Sequence, residues 1–575
     1  MFGSVNFAPP NTGPLRTIES PYHSDPPLRA KLTSVSMKCL RAEPAWKREA
    51  GCAISFAAGD SPMAEMVLAI DQGTTGTTIM VVDARGRVRG RAYGEVRQFY
   101  PRPGWVEHDP EAIYRSVISL SRHALDQARA KPEDVASIGI ANQRETFVVW
   151  ERATGRPIHR AIVWQCRRGD AVCEALRERE DEVTRRTGLL VDPYFSGSKL
   201  KWLLDGDRTL RRRAERGELC FGTIESWLIF KLSHGESFVT DFTNASRTMM
   251  LNLDSLHWDA EMLRMLDVPE TMLPQPVSSR GPLAEAARGS ICARAVPIGA
   301  AIGDQQAALF GQGCVRAGEA KVTYGTGAFL LMHTGGRRVH SRNRLLSTAA
   351  LGPLGESAFA LEGSVFIAGA AIQWLRDELG LIAKSSDSAA LARRSASRDH
   401  PYLVPAFVGL GAPYWDSAAR GAIVGITRGT TRADIVRAAL DAIAYQVNDV
   451  IAAMEKDMGR RIPALRVDGG AAANDYLMGF QADLLGRSVR RPKMAETTAL
   501  GAALLAGIAA GLWSGADASA RLRGADRIFT PKMRPRERET LVAGWREAVA
   551  RVLTRSDAAP HAAATSPSSR AGARD

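Results

Sequence analysis

A strand–turn–strand pattern occurs twice along this chain and sets the strictest limit on its fold. Residues 67–82 read VLAIDQGTTGTTIMVV, and residues 320–334 read AKVTYGTGAFLLMHT. In each stretch, two apolar segments of strand length enclose a turn rich in glycine and threonine, which predicts a β-hairpin. Two hairpins of one design favour two domains that are built alike and face each other. Chance similarity is the alternative, because such turns are common in hairpins.

Strand and helix patterns alternate around the two hairpins. The segments MVLAI, IMVVD and ASIGIANQ predict strands, whereas DPEAIYRSVISLSRHALDQARA has the apolar spacing of an amphipathic helix behind an acidic cap. A second helix is predicted to begin at Thr431, which opens a capping pattern. The alternation predicts an α/β protein, and 575 residues are too many for one ordinary core, so we expect two large domains.

Charge and hydropathy argue against two classes of partner. The formal net charge is +13, but the arginines are scattered and often stand beside glutamates, as in EALRERED. No basic run is interleaved with aromatic residues, so we expect no nucleic-acid partner. No apolar run is long enough to predict a membrane span, because the most apolar stretch, residues 498–513, is short and rich in small residues. We interpret that stretch as a closely packed helix.

The cysteines and the chain ends suggest where the protein works and where it is ordered. None of the seven cysteines forms a CxxC pair and no histidine cluster has metal-ligand spacing, which suggests reduced thiols in the cytoplasm. Residues 1–62 are rich in Pro and Ser without any period, so they predict a disordered extension, and they make a poor signal peptide. The low-complexity residues 551–575 predict a disordered tail.

The turns of both hairpins have the composition of phosphate sites. Glycine lets a ligand approach the backbone N–H groups, and threonine hydroxyls supply further donors. Neither a GxxxxGK[ST] loop nor a helix-opening GxGxxG occurs at these turns. Asp71 ends the first strand beside its turn, where a lone carboxylate would repel phosphate unless a cation lay between them. We therefore predict Mg²⁺, held through water by Asp71 and by the phosphates.

A third glycine turn follows the strand ALRVD. Asp468 ends this strand, Gly469 and Gly470 form the turn, and a helix is expected near Asn474. Strand, glycine turn and helix in this order can accommodate a base and ribose against bare backbone. The motif is weak alone, but with two phosphate turns it indicates a nucleotide held between two lobes.

Two polar motifs are candidates for binding a hydroxyl compound that would accept a phosphoryl group from the nucleotide. Asp304 stands at the start of a predicted helix, whose N-terminus favours an ionised carboxylate able to take a proton from an attacking hydroxyl. A simple N-cap is the alternative. Arg144 and Glu145 follow an apolar strand and can hydrogen-bond a diol, although a surface ion pair would look the same in sequence.

Two aromatic residues are weaker candidates for the same acceptor. Tyr194, in VDPYFSGSK, offers a further hydroxyl, but a half-buried tyrosine is equally consistent with the sequence. Trp105 follows a Pro-Gly turn, where its ring could cover the carbon face of a small polyol, or it could be a core tryptophan.

With these motifs in view, the chain resembles the FGGY carbohydrate kinases. The matching stretches follow the family order from about residue 66 to about residue 513, and they include DQGTTG, PGWVEHDP, IANQRETFVVW, DPYFSGSK, GDQQAALFGQ, TYGTG and RVDGGAAAN. The resemblance implies a duplicated actin-like, ribonuclease-H-like fold. Its N-terminal domain, residues 66–315, would bind glycerol and phosphate and carry the base. Its C-terminal domain, residues 316–550, would bind the nucleotide.

The resemblance also implies an activity and a set of site residues. The activity is the ATP-dependent, Mg²⁺-dependent phosphorylation of glycerol to sn-glycerol 3-phosphate, by a cytoplasmic homo-oligomer, either a dimer or a tetramer. Asp304 resembles the family's general base, and Asp71 its Mg²⁺ acid. The positions that resemble its glycerol site are Arg144, Glu145, Tyr194, Asp304 and Gln305, with Trp105 and Phe329 flanking the carbon chain. The positions that resemble its nucleotide contacts are Thr74, Thr75, Gly76, Gly325, Thr326, Gly369, Gln373, Gly470 and Asn474.

The first hairpin departs from the family pattern. The family usually has GTTSxR, whereas Gly76 and Thr78 stand here in place of the serine and the arginine. A lost guanidinium removes a charged contact to phosphate, so we expect weaker ATP affinity or turnover than in close relatives. Two alternatives stay open: a kinase acting on xylulose, ribulose or gluconate, and a nucleotide-binding protein without kinase activity.

Overall fold

The structure is a computed structural model that describes residues 65–395, 400–524 and 526–554. The predicted N-terminal extension, residues 1–62, lies outside the described residues, as do residues 555–575 of the predicted tail.

The first half of the described chain contains fourteen strands and nine α-helices. The strands are β1 (Met66–Gln72), β2 (Gly76–Asp83), β3 (Val88–Glu95), β4 (Glu107–His108), β5 (Val135–Asn142), β6 (Phe147–Glu151), β7 (Ala161–Ile162), β8 (Leu219–Thr223), β9 (Val239–Asp241), β10 (Leu251–Asn252), β11 (His257–Trp258), β12 (Gln275–Val277), β13 (Arg280–Ala286) and β14 (Val296–Gly303). The helices are α1 (Pro110–Ala128), α2 (Asp170–Leu176), α3 (Glu180–Thr187), α4 (Ser196–Asp205), α5 (Arg208–Glu215), α6 (Ile224–Leu232), α7 (Phe242–Ala245), α8 (Ala260–Leu266) and α9 (Asp304–Gly311).

The second half adds nine strands and seven α-helices among the described residues. The strands are β15 (Ala320–Tyr324), β16 (Ala328–Gly335), β17 (Leu346–Leu351), β18 (Ser357–Val365), β19 (Tyr402–Val404), β20 (Ala422–Val424), β21 (Leu465–Asp468), β22 (Val489–Arg491) and β23 (Arg527–Phe529). The helices are α10 (Gly369–Asp377), α11 (Asp387–Arg393), α12 (Arg432–Met458), α13 (Asp475–Leu485), α14 (Thr497–Ala509), α15 (Ala516–Arg523) and α16 (Pro535–Ala550).

Each half is built around one mixed sheet that grows from a hairpin. In the first sheet, of order β13-β14-β5-β1-β2-β3, strand β1 pairs antiparallel with β2 and parallel with β5. In the second, of order β17-β18-β16-β15-β21-β22-β23, strand β15 pairs antiparallel with β16 and parallel with β21. The two halves therefore repeat one plan, and the predicted α/β class with duplicated, ribonuclease-H-like halves is confirmed.

The helix predictions hold where local signals are strong. Helix α1 begins after Asp109, whose carboxylate accepts hydrogen bonds from the N–H groups of Glu111 and Ala112. Helix α12 begins after Thr431, which forms a capping box with Asp434. Both caps satisfy backbone donors that the first helical turn leaves free, so they fix where each helix starts.

Helix α14 confirms the prediction of a closely packed helix at residues 498–513. A Cβ on Gly501 would collide with the backbone of Ala307 in α9, and a Cβ on Gly139 in β5 would collide with the backbone of Ala502. Glycine is needed at both positions because two backbones touch there. Helix α14 thus packs against the first sheet although in sequence it lies between β22 and β23 of the second sheet. The domain bounds given above stay predictions.

Among the described residues, no helix combines the length and the apolar character that crossing a bilayer requires.

Candidate active site

The first of the two predicted phosphate turns, residues 73–76, is held by a tryptophan from another segment. Gly73 N–H donates to the Gly76 carbonyl (2.9 Å), which closes the turn between β1 and β2. The indole N–H of Trp164 donates to Thr74 Oγ1 (2.9 Å). The hydroxyl of Thr74 is therefore fixed in direction, while Thr75 at the tip of the turn is exposed. A turn that is ordered before a ligand arrives loses less entropy on binding.

The second phosphate turn is joined to the start of helix α10. Gly325 N–H donates to the Gly327 carbonyl (2.8 Å), and Gly369 N–H donates to the Gly325 carbonyl (3.0 Å). Ala368 and Ala370 both donate to the Thr326 carbonyl. A Cβ on Gly369 would lie 2.6 Å from the Gly325 carbonyl oxygen, so only glycine allows this approach. The exposed Thr326 and the first turn of α10 thus form one surface.

The third glycine turn packs beside the second. Gly469 has a φ of +86°, and a Cβ there would collide with the backbone of Tyr324, the residue before Gly325. Nothing lies within 4 Å of a Cβ position on Gly470, which is exposed. Three predicted nucleotide positions, Gly325, Gly369 and Gly470, therefore lie along connected backbone segments. Each leaves bare backbone where a nucleotide could approach.

Two further predicted nucleotide positions lie on helices beside these turns. Asn474 caps α13, since its Oδ1 accepts from Leu477 N–H (3.1 Å), and its Nδ2 donates to Ser388 Oγ (3.2 Å). Gln373 lies on α10 with an exposed side chain. The amide of Asn474 is thus already engaged within the protein, whereas that of Gln373 faces solvent.

The acceptor side is the set of residues predicted to bind the phosphoryl acceptor, and Arg144 contacts two of its other members, Glu145 and Asp304. Arg144 follows β5 and is almost fully buried, and its Nε lies 3.1 Å from Asp304 Oδ1. Asp304 is the first residue of α9, behind Gly303 as N-cap, and its side chain is 28% exposed. The carboxylate that is predicted to be the base is therefore held by a buried guanidinium on one side and is partly open to solvent on the other. Gln305 N–H also donates to Asp304 Oδ1 (2.7 Å), as a helix N-terminus allows.

A buried carboxylate from the second half holds Arg144. Glu362, in β18, accepts two parallel hydrogen bonds from Arg144, at 2.7 Å from Nη1 and 2.9 Å from Nη2. Although burial opposes ionisation, Arg144 and Arg247 lower the pKa of Glu362 to about 2. Bidentate pairs of this kind fix the plane of the guanidinium. The pair of Arg144 and Glu145 is therefore not a surface ion pair.

Glu145 is fixed by a second arginine. Arg247 Nε donates to Glu145 Oε1 (2.6 Å), and Arg247 Nη2 donates to Glu362 Oε1 (3.1 Å). Burial raises the pKa of Glu145, against the opposing effect of the two arginines. Glu145 also has a φ of +62°, which a non-glycine residue adopts only when its surroundings impose it. One carboxylate, Glu362, thus contacts both arginines that order the predicted glycerol ligands.

Aromatic rings join the acceptor side to the first phosphate turn. The ring of Trp164 lies 5.4 Å from that of Tyr194 and 6.2 Å from that of Phe329, both edge-on. Tyr194 is half-buried, and Phe329 belongs to β16 in the second half. The structure therefore brings Tyr194 and Phe329 together around Trp164, whose indole also contacts Thr74.

Trp105 has different neighbours. Its ring packs edge-on against Trp202 (5.0 Å) and beneath the guanidinium of Arg168 (4.0 Å). Within the described residues, Trp105 shares no ring contact with Tyr194 or Phe329. Its predicted contact with glycerol stays a prediction.

Gln305 connects the acceptor side to the second sheet. Lys321, fully buried in β15, donates to Gln305 Oε1 (2.6 Å) and to Thr323 Oγ1 (2.8 Å). Burial lowers the pKa of Lys321, against the opposing effect of nearby carboxylates. The strand that leads into the second phosphate turn is thus hydrogen-bonded to the residue after Asp304.

Asp71 has the properties of a cation ligand. Burial, with the negative charges of Asp304 and Glu496, raises the pKa of Asp71 to about 7. Within the described residues its carboxylate accepts no side-chain hydrogen bond, and a divalent cation would relieve the repulsion. No group of three His, Cys, Asp or Glu side chains in the described chain could hold a metal alone. The residues present therefore fit Mg²⁺ that takes its other ligands from water and phosphate.

Four residues of this site were missed by reasoning from the sequence. Glu362 and Lys321 each stand alone among apolar residues inside a strand, in AFALEGSV and AKVTY, and a lone charge in such a strand is a signal of a buried ion pair. Arg247 and Trp164 gave no such signal. Glu362, Arg247 and Trp164 act through contacts with residues far away in sequence, whereas Lys321 contacts the nearer Gln305 and Thr323.

The cysteines are consistent with reduced thiols. Among the described residues, Cys166, Cys173, Cys220, Cys292 and Cys314 are buried and unpaired. Burial raises the pKa of Cys173 to about 12, so this thiol is not a reactive nucleophile.

Family models match most of the described chain. The N-terminal domain of the FGGY family of carbohydrate kinases matches residues 66–311, and its C-terminal domain matches residues 320–510. The chain belongs to the FGGY family of carbohydrate kinases.

Three relatives that match most of this chain, two in sequence and one in structure, are glycerol kinases. Glycerol kinase 2 of Pseudomonas aeruginosa is 54% identical over 487 residues, which cover 84% of this chain and 96% of the relative. Glycerol kinase 2 of Thermotoga maritima is 52% identical over 489 residues, which cover 85% of this chain and 98% of the relative. The crystal structure of Plasmodium falciparum glycerol kinase with ADP superposes with a TM-score of 0.80 at 34% identity, covering 85% of this chain and 98% of that one.

Proposed function

We propose that this protein is a glycerol kinase, which transfers the γ-phosphoryl group of ATP to glycerol and forms sn-glycerol 3-phosphate. The observation that carries the proposal is the contact between buried Arg144 and partly exposed Asp304, beside a strand that leads to the second phosphate turn. The similarity to glycerol kinases over more than four-fifths of the chain supports it, as does the ADP in the Plasmodium relative.

On the acceptor side, Arg144 and Glu145 hold two hydroxyls of glycerol, one as donor and the other as acceptor. Their buried partners, Glu362 and Arg247, keep both side chains from turning away. The third hydroxyl then faces Asp304, whose carboxylate accepts its proton as the oxygen attacks phosphorus. Proton removal by such a base contributes about 10²–10⁴-fold to the rate.

On the nucleotide side, the backbone N–H groups and hydroxyls of the two hairpin turns hold the phosphates. Thr74, Thr75 and Gly76 contribute from the first half, and Gly325 and Thr326 from the second. Bound Mg²⁺, held by Asp71 through water, would supply positive charge to the phosphates. Because the transition state of phosphoryl transfer is loose, most of the acceleration comes from positioning and charge neutralisation.

In this proposal the adenine base and the ribose of ATP lie along the second half. Gly369 and Gln373 at the start of α10, with Gly470 and Asn474 at the third turn, form that surface. Nothing lies within 4 Å of a Cβ position on Gly470, which leaves room for a planar base. Closure of the halves over both ligands would exclude water, which otherwise hydrolyses ATP.

A cytoplasmic homo-oligomer, either a dimer or a tetramer, completes the proposal. The buried, unpaired cysteines support a reducing compartment. Light scattering after size-exclusion chromatography measures the oligomeric state directly, and a monomer at micromolar concentration would contradict this part.

A coupled ADP-release assay tests the function. Purified protein with ATP and Mg²⁺ is given glycerol, xylulose, ribulose or gluconate, and we expect the highest kcat/KM with glycerol. A higher kcat/KM with one of the other three would show a different acceptor. ATP binding without acceptor-dependent ADP release would show a nucleotide-binding protein without kinase activity.

A further inference from the structure

A row of three residues crosses the first sheet beside its phosphate turn. In the register of the sheet, Asp71 in β1 lies opposite Thr78 in β2, and Thr78 lies opposite Tyr93 in β3. Directly opposed residues project from the same face of a sheet. Side chains also alternate along a strand, so Gly76 shares this face with Thr78. The face that carries the predicted Mg²⁺ acid therefore also carries Tyr93.

The ring of Tyr93 reaches diagonally from Thr78 to Gly76. A Cβ on Gly76 would lie 2.5 Å from both Cε2 and Oη of Tyr93, and 2.6 Å from its Cζ. These distances are far inside van der Waals contact. The phenol thus occupies the space that a side chain at position 76 would fill. A side chain at position 76 would therefore displace the outer end of the Tyr93 ring.

The hydroxyl of Tyr93 is available to a ligand. The residue is 53% exposed, and its Oη makes no hydrogen bond within the described residues. A phenol hydroxyl can donate one hydrogen bond, and the phosphate turn of residues 73–76 is directly beside it.

We propose that the hydroxyl of Tyr93 donates a hydrogen bond to the phosphate chain of the nucleotide, in place of the serine hydroxyl that the family has at position 76. A serine hydroxyl is one bond from its Cβ, and Tyr93 Oη lies 2.5 Å from that Cβ position, so both hydroxyls reach the same region. The role rests on the proposed use of ATP. It restores a neutral donor but not the guanidinium that Thr78 replaces.

The variant Tyr93→Phe removes the hydroxyl and keeps the ring. We expect the Kd for Mg·ATP, measured by isothermal titration calorimetry, to rise about 10-fold, which is typical of one hydrogen bond to a charged group. The KM for ATP should rise in parallel, whereas the KM for glycerol and the melting temperature should stay unchanged. Tyr100→Phe is the matched control, because Tyr100 is also exposed and its hydroxyl contacts only Gln98.

Three further variants test whether a hydroxyl at position 76 can replace that of Tyr93. Tyr93→Ala should weaken Mg·ATP binding at least as much as Tyr93→Phe. Adding Gly76→Ser to Tyr93→Ala should recover most of that loss, because the serine then has space. Gly76→Ser alone should weaken binding, since its Cβ meets the phenol ring.

The outcomes separate this proposal from the proposed function. Absence of glycerol-dependent ADP release by the unaltered protein contradicts the proposed function. An active unaltered protein with unchanged Mg·ATP affinity in Tyr93→Phe overturns the role of Tyr93 alone. Loss of glycerol affinity equal to the loss of ATP affinity, or failure of Gly76→Ser to restore binding, overturns it as well.

Discussion

Arg144 and Glu362 form a bidentate ion pair that joins the first half of the molecule to a strand of the second. Their paired atoms lie 2.7 and 2.9 Å apart, and both side chains are almost fully buried. Arg144 also contacts Asp304, and Glu362 also contacts Arg247, which holds Glu145. This one pair therefore connects two of the predicted glycerol ligands, Arg144 and Glu145, with the predicted base. The acceptor side therefore depends on both halves.

The substitution Glu362→Gln should weaken both the fold and the acceptor site. It leaves two buried arginines with one carboxylate fewer, and loss of a partner from a buried pair typically destabilises by about 3–5 kcal/mol. We also expect kcat/KM for glycerol to fall by about 10- to 100-fold, or roughly 1.4–2.7 kcal/mol, because the guanidinium loses its fixed plane. Chemical denaturation and steady-state kinetics measure the two effects.

The effect on stability should depend on pH. Glu362 has a pKa of about 2 in the folded protein and an ordinary value of 4.5, so its contribution is complete above pH 4.5 and is lost as pH falls towards 2. The difference in free energy of unfolding between the unaltered protein and Glu362→Gln should therefore narrow as pH falls from 4.5 to 2. Asp377→Asn, which alters an exposed pair with Arg376, is the control. It should change neither the free energy of unfolding nor kcat/KM for glycerol. Wild-type kinetics in Glu362→Gln would contradict the role given to this pair.

The substitution Asp71→Asn should separate stability from activity. The pKa of Asp71 is raised to about 7 from 3.8, so its ionisation opposes folding increasingly as pH rises from about 4 to 7. Without metal, the variant should therefore melt at a higher temperature than the unaltered protein at pH 8. Its turnover should fall at least 100-fold, with a higher Mg²⁺ requirement. Unchanged Mg²⁺ dependence would remove Asp71 from the metal site.

The substitution Trp164→Phe should impair use of ATP. It removes the N–H that fixes Thr74 Oγ1 and keeps an aromatic ring near Tyr194 and Phe329. Losing one hydrogen bond of about 1 kcal/mol predicts a fall of about 5-fold in kcat/KM for ATP. Trp258→Phe, which loses an indole hydrogen bond to Pro274 away from the turns, is the control. Equal losses in both variants would show a general effect on folding.

The substitution Thr78→Arg should improve use of ATP. It restores a guanidinium on the face that also carries Asp71 and Tyr93, where it can pair with phosphate in bidentate fashion. We expect kcat/KM for ATP to rise several-fold at low salt, and Thr78→Lys to give a smaller gain. No gain from either variant would show that a positive charge at position 78 does not help this protein to use ATP.

Local patterns predicted the central elements of the architecture. The two hairpins, the caps at Asp109 and Thr431 and the helix that begins at Asp304 were all readable, because each is decided by neighbours a few residues apart. The likeness of the hairpins also predicted the duplicated halves.

Contacts between distant segments could not be predicted. Glu362 is separated from Arg144 by 218 residues, and Trp164 from Thr74 by 90, so no local pattern links them. The packing of α14 against the first sheet, and of Trp105 against Trp202, is likewise decided by tertiary structure. The sequence also revealed that Gly76 departs from the family pattern, but not that Tyr93 fills the space it leaves.

The most direct test follows phosphate by ³¹P NMR while purified protein is incubated with ATP, Mg²⁺ and glycerol. The unaltered protein should convert ATP to ADP and form sn-glycerol 3-phosphate in equal amounts. Asp304→Asn should form none, although calorimetry should still detect glycerol binding. Near-normal product formation by Asp304→Asn would contradict the account, as would ADP formation by the unaltered protein without a phosphorylated product.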